Sequence, residues 1–586
     1  MTPLRDLLTR QVSAAFADAG YDPALGEVVP SQRPDLGQFQ CSGVLAAAKK
    51  HRKPPQAIAD DVMARLRTSD VFSNVSFAAP GFVNLTVTDD YLTACLEQVG
   101  RDERLGCALV SEPGTVVLDF GGPNIAKAMH VGHLRSTIIG DSLQRLFRFA
   151  GHKVLSDIHL GDWGTPMGML ISELQRRRGI SHLDDSTATQ AAATLSVRDL
   201  EDMYLAAATQ TRSSDESLRE ALQATVGLQQ NHPGYRELWR QLVAVSVAAL
   251  REDFDTLGVS FDLWLGESHF SDRIPGLVER LLAQGHAVLS EGAVVIPVAE
   301  PTDQQEVPPL ILVKSDGGYT YATTDLAAVD ERAGDLRADG ILYVVDKRQG
   351  LHFTQVFRAA NKTGLARNAR LEHLPFGTMN GPDGKPFKTR AGGVMKLKDL
   401  IEMVTEAALQ RMQDSDIATT FSETERRRLA RQIGLAALKF GDLSNLRTSD
   451  YVFDLDRFLR FEGRTGPYLQ YAAVRIKSIF RKAEMADDEV GGTLRPPQTT
   501  GERDLMLALA SLGDFVRQAY ERRAPNVLCD FAHNLAQRYS HFYHECHILS
   551  ESDPARRASW LRLSQITLRQ LSLLLGLLGI EVPDRM

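Results

Sequence analysis

The sequence predicts a multidomain α/β protein whose central domain is a doubly wound parallel sheet. In the middle of the chain, apolar strands that end in polar or glycine-rich residues alternate with helical patterns, as a parallel sheet requires. Toward the C-terminus only helical patterns remain, and 586 residues are too many for one hydrophobic core. We predict an N-terminal α/β module at 1–110, a sheet domain at 111–445 with a helical insertion at 180–310, and an all-α bundle at 446–586.

The composition is that of an ordinary globular protein, with 43% hydrophobic and 24% charged residues. The five cysteines are scattered and form no Cys-x-x-Cys pair, which favours reduced thiols in a cytoplasmic protein over a disulfide framework. The charged N-terminal segment is unlike a secretory signal, and no apolar run is long enough to span a bilayer, so we expect no membrane partner. The net charge of −8 leaves nucleic-acid binding open, because a basic patch can be local.

The N-terminal module is predicted from two helical patterns and a pair of strands. Apolar spacing predicts helices near the start and in "PPQAIADDVMARL", and "VSFAAPGFVNLTV" predicts two strands around a Pro80–Gly81 turn. A basic cluster between these elements contains Lys49 and Lys50. It indicates either a solvated helix end or a nucleic-acid contact, and both interpretations stay open.

The first strand of the sheet domain, "TVVLDF", leads through a "GGPN" turn into a helix. The apolar residues after the turn have helical spacing up to Gly151, which is placed to end the helix. Two later segments, "KVLSDIHLGDWG" and "GILYVVDKRQG", are also apolar strands that end in polar and glycine-rich residues. The carboxyl ends of such strands meet at one edge of a doubly wound sheet, where ligands bind.

The helix begins near His130 and His133 in the stretch "NIAKAMHVGHLRS". A helix N-terminus offers unpaired N–H groups and the positive end of the helix dipole, so it attracts anions. Gly132 permits close approach, and Lys127 and Arg135 add mobile donors, which together predict a phosphate site. A His-x-x-His metal site and two histidines at an ordinary helix start are the alternatives. The P-loop and dinucleotide fingerprints are missing, so the phosphates would be held in another way.

Several ordered motifs resemble those of the arginyl-tRNA synthetases, a family of class I aminoacyl-tRNA synthetases. The tetrad "HVGH" matches the "HIGH" signature of that class. Similar blocks are "GDWGTPMGMLI", "SDGGYTYATTDLAA", "DKRQGLHFTQ", "GKPFKTRAGGVMKLKDLI" and "FEGRTGPYLQYAAVRI", and the resemblance covers essentially the whole chain. It implies a Rossmann-like catalytic domain and an arginine–tRNA ligase that works through an arginyl-adenylate. It also implies that arginine activation requires bound tRNA.

The resemblance further implies the substrates and the residues that bind them. The substrates would be L-arginine, the cognate tRNA and ATP with Mg²⁺, and no structural zinc is expected. His130 and His133 would contact the ATP phosphates, Val131 would complete the ATP site, and Gly132 would lie against the adenine. The residues at the family's arginine-binding positions are Asp119, Asn124, Tyr321, Asp325 and Gln349.

A guanidinium group offers five donors in a rigid fork and therefore needs carboxylates and planar acceptors. We expect Asp325 and Tyr321 to grip it, and Asn124 and Gln349 to serve the amino-acid end or the flank of the pocket. Considered without the resemblance, Tyr321 fits a half-buried strand residue, and Asp325 fits a helix N-cap.

The second signature of class I synthetases, the "KMSK" loop, is altered in this chain. The sequence there is "KPFKTRAGG", and Thr389 occupies the position of the signature's second lysine. A subset of arginyl enzymes shares this loss and has a lysine before the histidine tetrad, which is Lys127 here. We hypothesise that Lys127 supplies the missing charge in the transition state, supported by Lys385, Lys388 and Arg390. A solvated basic turn is the structural alternative for the loop.

The C-terminal bundle carries basic and aromatic residues together. Cations that neutralise phosphates and aromatic rings that stack on bases are typical of single-stranded RNA recognition, and this region resembles the family's anticodon-binding domain. Aromatic residues at helical spacing can equally pack in the core. A histidine-rich stretch, "HNLAQRYSHFYHECHIL", has no ordinary zinc-ligand spacing. The predicted tRNA-binding residues are Lys49, Lys50, Tyr468, Arg475, Lys477 and Arg481.

Two rival functions stay open beside the arginine ligase. One is a class I synthetase for another amino acid. The acidic Asp325 beside Tyr321 argues against an apolar amino acid as its substrate. The other is an RNA-binding paralogue without catalysis, against which the intact His130, Gly132 and His133 argue. We expect the protein to be a monomer.

Overall fold

The computed structural model describes residues 2–381, 383–385, 387, 395–414, 421–486 and 490–586. The chain divides into two compact units. One unit combines Met1–Val110 with Leu459–Met586, and the other is Ser111–Phe458. The predicted multidomain α/β class is confirmed, whereas the predicted domain boundaries stay predictions.

The N-terminal part contains four helices and an antiparallel four-stranded sheet in the order β1-β2-β4-β3. Strands β3 and β4 pair across the Pro80–Gly81 turn, which confirms the predicted hairpin. The helices are α1 (Leu4–Asp18), α2 (Gly43–His51), α3 (Pro55–Leu66) and α4 (Asp89–Arg101), and the strands are β1 (Val29–Pro30), β2 (Phe39–Cys41), β3 (Phe72–Ala78) and β4 (Phe82–Val87).

The second unit is built on a four-stranded parallel sheet in the order β11-β10-β5-β6. The chain proceeds from β5 to β6 on one side and returns to β10 on the other. The two directions diverge between β5 and β10, and ligands of such sheets bind at that point, outside the carboxyl ends of the strands. The elements are β5 (Thr115–Phe120), α5 (Val131–Ala150), β6 (Lys153–Asp157), α13 (Tyr321–Gly334), β10 (Gly340–Val344), α14 (Gly350–Lys362) and β11 (Arg370–His373).

The sheet is covered by apolar residues of α13 and α14. Leu326 and Val329 of α13 and Val356 of α14 are fully buried against Ile341 of β10. Helix α5 ends at Ala150 and is capped by Gly151, whose φ of +109° favours a residue without a side chain, so the predicted helix end is confirmed.

Between β6 and α13 the chain forms seven helices and a small sheet. We predicted a helical region there, and the helices are confirmed, but an antiparallel three-stranded sheet was missed. Its strands are three or four residues long, too short for a periodic pattern to separate them from helix. The elements are α6 (Thr165–Arg178), α7 (Asp185–Ala192), α8 (Val197–Ser213), α9 (Asp215–Gln229), α10 (Pro233–Leu257), α11 (Glu267–Phe270), α12 (Ile274–Ala283), β7 (Val288–Ser290), β8 (Ala293–Ile296) and β9 (Leu310–Val313).

The described residues at the end of this unit form two more strands and three helices. The prediction that no strand follows residue 446 is wrong at β13, two residues that pair with β12 in parallel. This strand forms by pairing between distant segments, so no local sequence pattern predicts it. The elements are β12 (Met379–Asn380), α15 (Leu397–Asp414), α16 (Glu423–Leu443), β13 (Tyr451–Val452) and α17 (Leu455–Phe458).

The predicted C-terminal helix bundle is confirmed, with five α-helices among its described residues. Its last helix contributes fully buried leucines, among them Leu571 and Leu574. Arg517 of the bundle donates two hydrogen bonds to Asp6 of α1, at 2.7 and 2.9 Å. Within the described residues, no helix is long and apolar enough to cross a membrane. The helices are α18 (Gly466–Lys482), α19 (Thr500–Ala510), α20 (Leu512–Arg522), α21 (Pro525–Glu545) and α22 (Pro554–Leu577).

Candidate active site

A cleft of about 760 Å³ opens at the carboxyl ends of β5 and β10. It brings together residues predicted from two separate chemistries, phosphate binding and guanidinium binding. Val131 is buried and does not line the cleft, and Lys127 and Lys385 are also absent from its wall. Lys388, Thr389 and Arg390 lie outside the described residues. The predicted residues that line the cleft are Asp119, Asn124, His130, Gly132, His133, Tyr321, Asp325 and Gln349.

The two histidines cap helix α5 in a reciprocal way. The backbone N–H of His130 donates to Nδ1 of His133 at 3.2 Å, and the N–H of Gly132 donates to Nδ1 of His130 at 3.0 Å. Each Nδ1 accepts a hydrogen bond and therefore carries no proton itself, so each neutral ring has its proton on Nε2. The rings stack with centroids 3.9 Å apart. Both imidazoles are thereby fixed as Nε2–H donors.

Gly132 is required by this stacked arrangement. A Cβ at Gly132 would lie 2.7 Å from Cε1 of His130. A larger residue would push the His130 ring away and break the hydrogen bond that its Nδ1 accepts from the backbone N–H of residue 132. The prediction that Gly132 lies against an adenine ring stays a prediction.

The expectation of unpaired N–H groups at the start of α5 is wrong. The N–H of Val131 donates to the carbonyl of Met395 at 3.1 Å, and the N–H of His133 donates to the carbonyl of His130 at 2.9 Å. The N–H of Gly132 is taken by the His130 ring. The helix start is therefore satisfied by the chain's own acceptors, and a phosphate would meet imidazole donors in place of backbone amides.

Both histidines are held in their neutral form. Burial lowers the pKa of His133 to about 3, helped by the nearby His130 and by the positive charge of Lys127. Burial and Lys127 also lower the pKa of His130. At neutral pH the two rings donate hydrogen bonds without contributing a positive charge, so a cation that balances charge on a phosphate must come from another residue.

Lys127 and Arg135, both expected as mobile cations, have different surroundings. Nζ of Lys127 lies 4.2 Å from the ring centroid of Tyr204 on α8. Arg135 is 2% exposed, and its guanidinium donates to Asp442 at 3.0 Å and to the carbonyl of Gly377 at 2.7 Å. The expectation that Arg135 is a mobile donor is therefore wrong, because it is a buried structural ion pair.

The arginine-binding predictions fall on helices α13 and α14. Tyr321 is the first residue of α13 and is 66% exposed, so it is not a strand residue. Asp325 lies inside α13, whose N-cap is Thr320, which excludes the N-cap alternative. One carboxylate oxygen of Asp325 lies 2.6 Å from Nε2 of His352 on α14. Gln349 is exposed at the N-cap position of α14.

Asp119 is already engaged by a buried arginine. It lies in register with Asp157 of β6, so two carboxylates meet on neighbouring strands. Arg332 of α13 donates to Asp119 at 2.8 Å and to Asp157 at 2.7 Å, which neutralises this repulsion. Burial nevertheless raises the pKa of Asp119. Asn124 pairs with Gly161, where a Cβ would lie 2.0 Å from the Asn124 side-chain oxygen.

Glu267 is a cleft residue that the sequence analysis missed. It is the first residue of α11, and its N–H donates to the carbonyl of Leu160 at 3.0 Å. Burial, together with the negative charges of Asp162 and Asp325, raises the pKa of Glu267 to about 8. The signal was present, because the apolar run "FDLWLG" precedes Glu267 much as the other strands precede their polar ends.

Comparisons with known proteins bear on this cleft. The family described as "tRNA synthetases class I (R), catalytic domain" matches residues 96–455. The arginine–tRNA ligase of Alkaliphilus oremlandii is 45% identical over 99% of this chain and 100% of its own length, and that of Maricaulis maris is 47% identical over 100% of both. The chain belongs to the class I arginyl-tRNA synthetase family.

The ends of the chain and solved structures agree with this assignment. An arginyl-tRNA synthetase N-terminal domain matches residues 4–87, and a DALR anticodon-binding domain matches residues 469–586. The arginyl-tRNA synthetase of Plasmodium falciparum superposes with a TM-score of 0.83 at 25% identity, covering all of both chains. The Thermus thermophilus arginyl-tRNA synthetase, at 24% identity and a TM-score of 0.78, shows the same fold over both full lengths.

In this arginyl-tRNA synthetase family member, the predicted RNA-binding cations have varied partners. Lys49 and Lys50 are exposed at the end of α2, and Nζ of Lys50 lies 3.5 Å from Asp22. Lys477 and Arg481 of α18 both contact Asp584, through its carboxylate at 3.1 Å and its carbonyl at 2.9 Å. Their role in tRNA binding stays a prediction.

The aromatic residues of α18 divide between core and surface. Phe480 is 2% exposed and packs in the core, whereas Tyr471 is 41% exposed. The ring of Tyr468 makes an edge contact with His533, and the guanidinium of Arg475 lies 4.3 Å from the ring centroid of Tyr543. Across the part of the chain that is described, no three His, Cys, Asp or Glu side chains come together as metal ligands. The histidine-rich stretch of α21, which continues just past its end, holds His533, His541, His544, Cys546 and His547.

Proposed function

We propose that the protein attaches L-arginine to its cognate tRNA. Arginine and ATP form arginyl-adenylate and release pyrophosphate, and the arginyl group then moves to the terminal ribose of the tRNA with release of AMP. The observation that carries this proposal is the cleft itself, where two neutral imidazole donors and a group of carboxylates face one cavity. The resemblance to the family supports the further proposal that activation requires bound tRNA.

Glu267 and Asp325 are proposed to bind the guanidinium group. The negative charge of Asp325 helps to raise the pKa of Glu267, so the two carboxylates are close enough to repel each other, and a cation bound between them relieves this repulsion. A guanidinium offers donors to both carboxylates at once, whereas the single ammonium of lysine is a point charge and citrulline has no charge. The site is therefore proposed to prefer arginine over both analogues.

His130 and His133 are proposed to bind the ATP phosphates. Their Nε2–H groups are oriented by the Nδ1 hydrogen bonds, so they reach the transition state without reorganisation. Mg²⁺ would enter with the nucleotide, since it is usually held by substrate phosphates and one or two carboxylates, and it neutralises phosphate charge when bound. Lys127, with Lys385 and the loop residues beyond it, is proposed to supply the remaining positive charge.

Arginine binding is expected to depend on pH through Glu267. The pKa of Glu267 in the free protein is about 8, so the carboxyl is protonated at pH 7 and must lose its proton to pair with a guanidinium. The affinity for arginine should therefore rise about tenfold per pH unit between pH 6 and 7 and level off above pH 8. Equilibrium dialysis with labelled arginine across this range measures the effect. A flat profile between pH 6 and 8 would contradict the assignment.

The proposed function is tested by attachment of labelled arginine to transcribed tRNA. We expect acid-precipitable product only when ATP, Mg²⁺ and tRNA are all present, and little pyrophosphate exchange without tRNA. Lysine and citrulline should give background product. Charging of another amino acid, or no charging at all with an active positive control enzyme, would overturn the proposal.

The cellular setting follows from the same proposal. We propose that the protein acts in the cytoplasm as a monomer. The five cysteines are buried thiols, which suits a reducing compartment.

A further inference from the structure

One carboxylate on the helical insertion bridges two distant backbone segments. Oε1 of Glu201, on α8, accepts the backbone N–H of Ala128 at 2.6 Å. Oε2 of the same side chain accepts Nζ of Lys396 at 2.6 Å. The Glu201 side chain is only 15% exposed, so both bonds form in a partly desolvated setting where charge-assisted hydrogen bonds are strong.

The two bridged segments are those that flank the proposed phosphate site. Ala128 lies two residues before His130, and Lys396 lies three residues after the altered second signature, immediately before α15. The segments also pair directly, because the N–H of Leu397 donates to the carbonyl of Met129 at 2.8 Å. An antiparallel bridge joins His130 to Lys396. Glu201 therefore holds the meeting point of both segments from a third element.

A second residue of α8 acts on the same stretch. Tyr204 follows Glu201 by three positions, so the two side chains share one face of the helix. Its ring lies 4.2 Å from Nζ of Lys127, the residue directly before Ala128. Helix α8 thus contacts the ammonium of Lys127 and the next backbone N–H together. A fixed Ala128 amide limits where Lys127 and His130 can point.

We propose that Glu201 is a positioning residue that sets the rate of arginine activation. By binding Ala128 and Lys396 at once, it keeps the histidine segment and the segment at Lys396 in one register. Loss of the bridge leaves only the backbone pairing to hold the two segments, and a misplacement of about 1 Å at a reacting centre can cost about 10²-fold in rate. This inference rests on the proposed function, because it assumes that these segments handle ATP.

The test compares Glu201→Gln, Lys396→Met and the double variant in arginine-dependent ATP–pyrophosphate exchange with tRNA present. Glutamine keeps one acceptor oxygen but loses the charge that holds Lys396, and methionine keeps the apolar stem of the lysine. Each single variant should lower kcat about 10- to 100-fold. The double variant should be no slower than the slower single variant, because both substitutions remove the same bridge.

Three readouts separate positioning from general loss of structure. Glu201→Gln should leave the dissociation constant for arginine, measured by equilibrium dialysis, within twofold of the wild type, and its Tm within about 2 °C. Asp202→Asn removes the same charge from the next, exposed residue of α8 and should leave kcat unchanged. The inference is wrong if Glu201→Gln keeps kcat within threefold of the wild type, or if it weakens arginine binding by as large a factor as it lowers kcat. It is also wrong if the effects of Glu201→Gln and Lys396→Met on kcat multiply in the double variant. A wild type that charges no arginine would instead overturn the proposed function.

Discussion

Replacing Lys127 with alanine is expected to slow arginine activation by about 10²- to 10³-fold, the usual cost of losing one transition-state donor. The reason lies in the protonation of the neighbouring histidines. The pKa of His133 is about 3 and that of His130 is lowered, so neither ring is charged at neutral pH. The α-phosphate gains negative charge as it becomes pentacoordinate. The neutral imidazoles can stabilise this charge only through their N–H dipoles.

Lys127 is well placed to supply this charge. Its ammonium is close enough to lower the pKa of both histidines, which means that it acts on the same small region. In the structure it lies over the ring of Tyr204, a contact worth only about 0.5–2 kcal/mol, so it can turn toward a phosphate at small cost. Lys385, the first residue of the altered second signature, is exposed and does not line the cleft.

Pyrophosphate exchange in the presence of tRNA measures the Lys127→Ala effect. We expect kcat to fall while the affinity for arginine is preserved, and Lys127→Arg should recover part of the rate because it keeps the charge. Lys153→Ala, which removes an exposed lysine at the start of β6, is the matched control and should leave the rate unchanged. An alanine variant within a few-fold of wild type would show that the charge comes from elsewhere.

Local sequence patterns predicted the elements that carry the cleft. The strand "TVVLDF", the helix that begins after His130 and its end at Gly151 are all set by short-range rules of strand composition, helix periodicity and glycine conformation. The rule that ligands bind at the carboxyl ends of parallel strands then located the cleft without any knowledge of packing.

Contacts between distant positions decided the parts that were predicted wrongly. The N–H of Val131 donates to the carbonyl of Met395. The sequence around Val131 does not predict an acceptor so far along the chain. Arg135 was expected to be mobile because its partner, Asp442, is 307 residues away. Asp119 also has a distant partner, Arg332, while its predicted role in arginine binding stays a prediction. Buried charges find partners by tertiary packing, which a pattern of neighbouring residues does not encode.

Replacing Glu267 with glutamine is expected to reduce kcat/KM for arginine by about 10²- to 10³-fold, since removing one partner of a buried charge pair costs about 2–5 kcal/mol. Asp325 should matter less, because one of its oxygens already contacts His352. Among the described residues, by contrast, no side chain donates a hydrogen bond to the Glu267 carboxyl, and burial keeps its pKa near 8.

A guanidinium that binds Glu267 therefore pairs with a carboxyl group that has no other donor in the described part of the protein. The decrease in kcat/KM should for this reason appear mainly as an increase in KM. The glutamine variant should also lose the dependence of arginine affinity on pH, since it has no proton to release. Glu279→Gln, an exposed neutralisation on α12, serves as the control for net charge. An unchanged KM in Glu267→Gln, or a pH profile that survives the substitution, would place the guanidinium on another acid of the cleft.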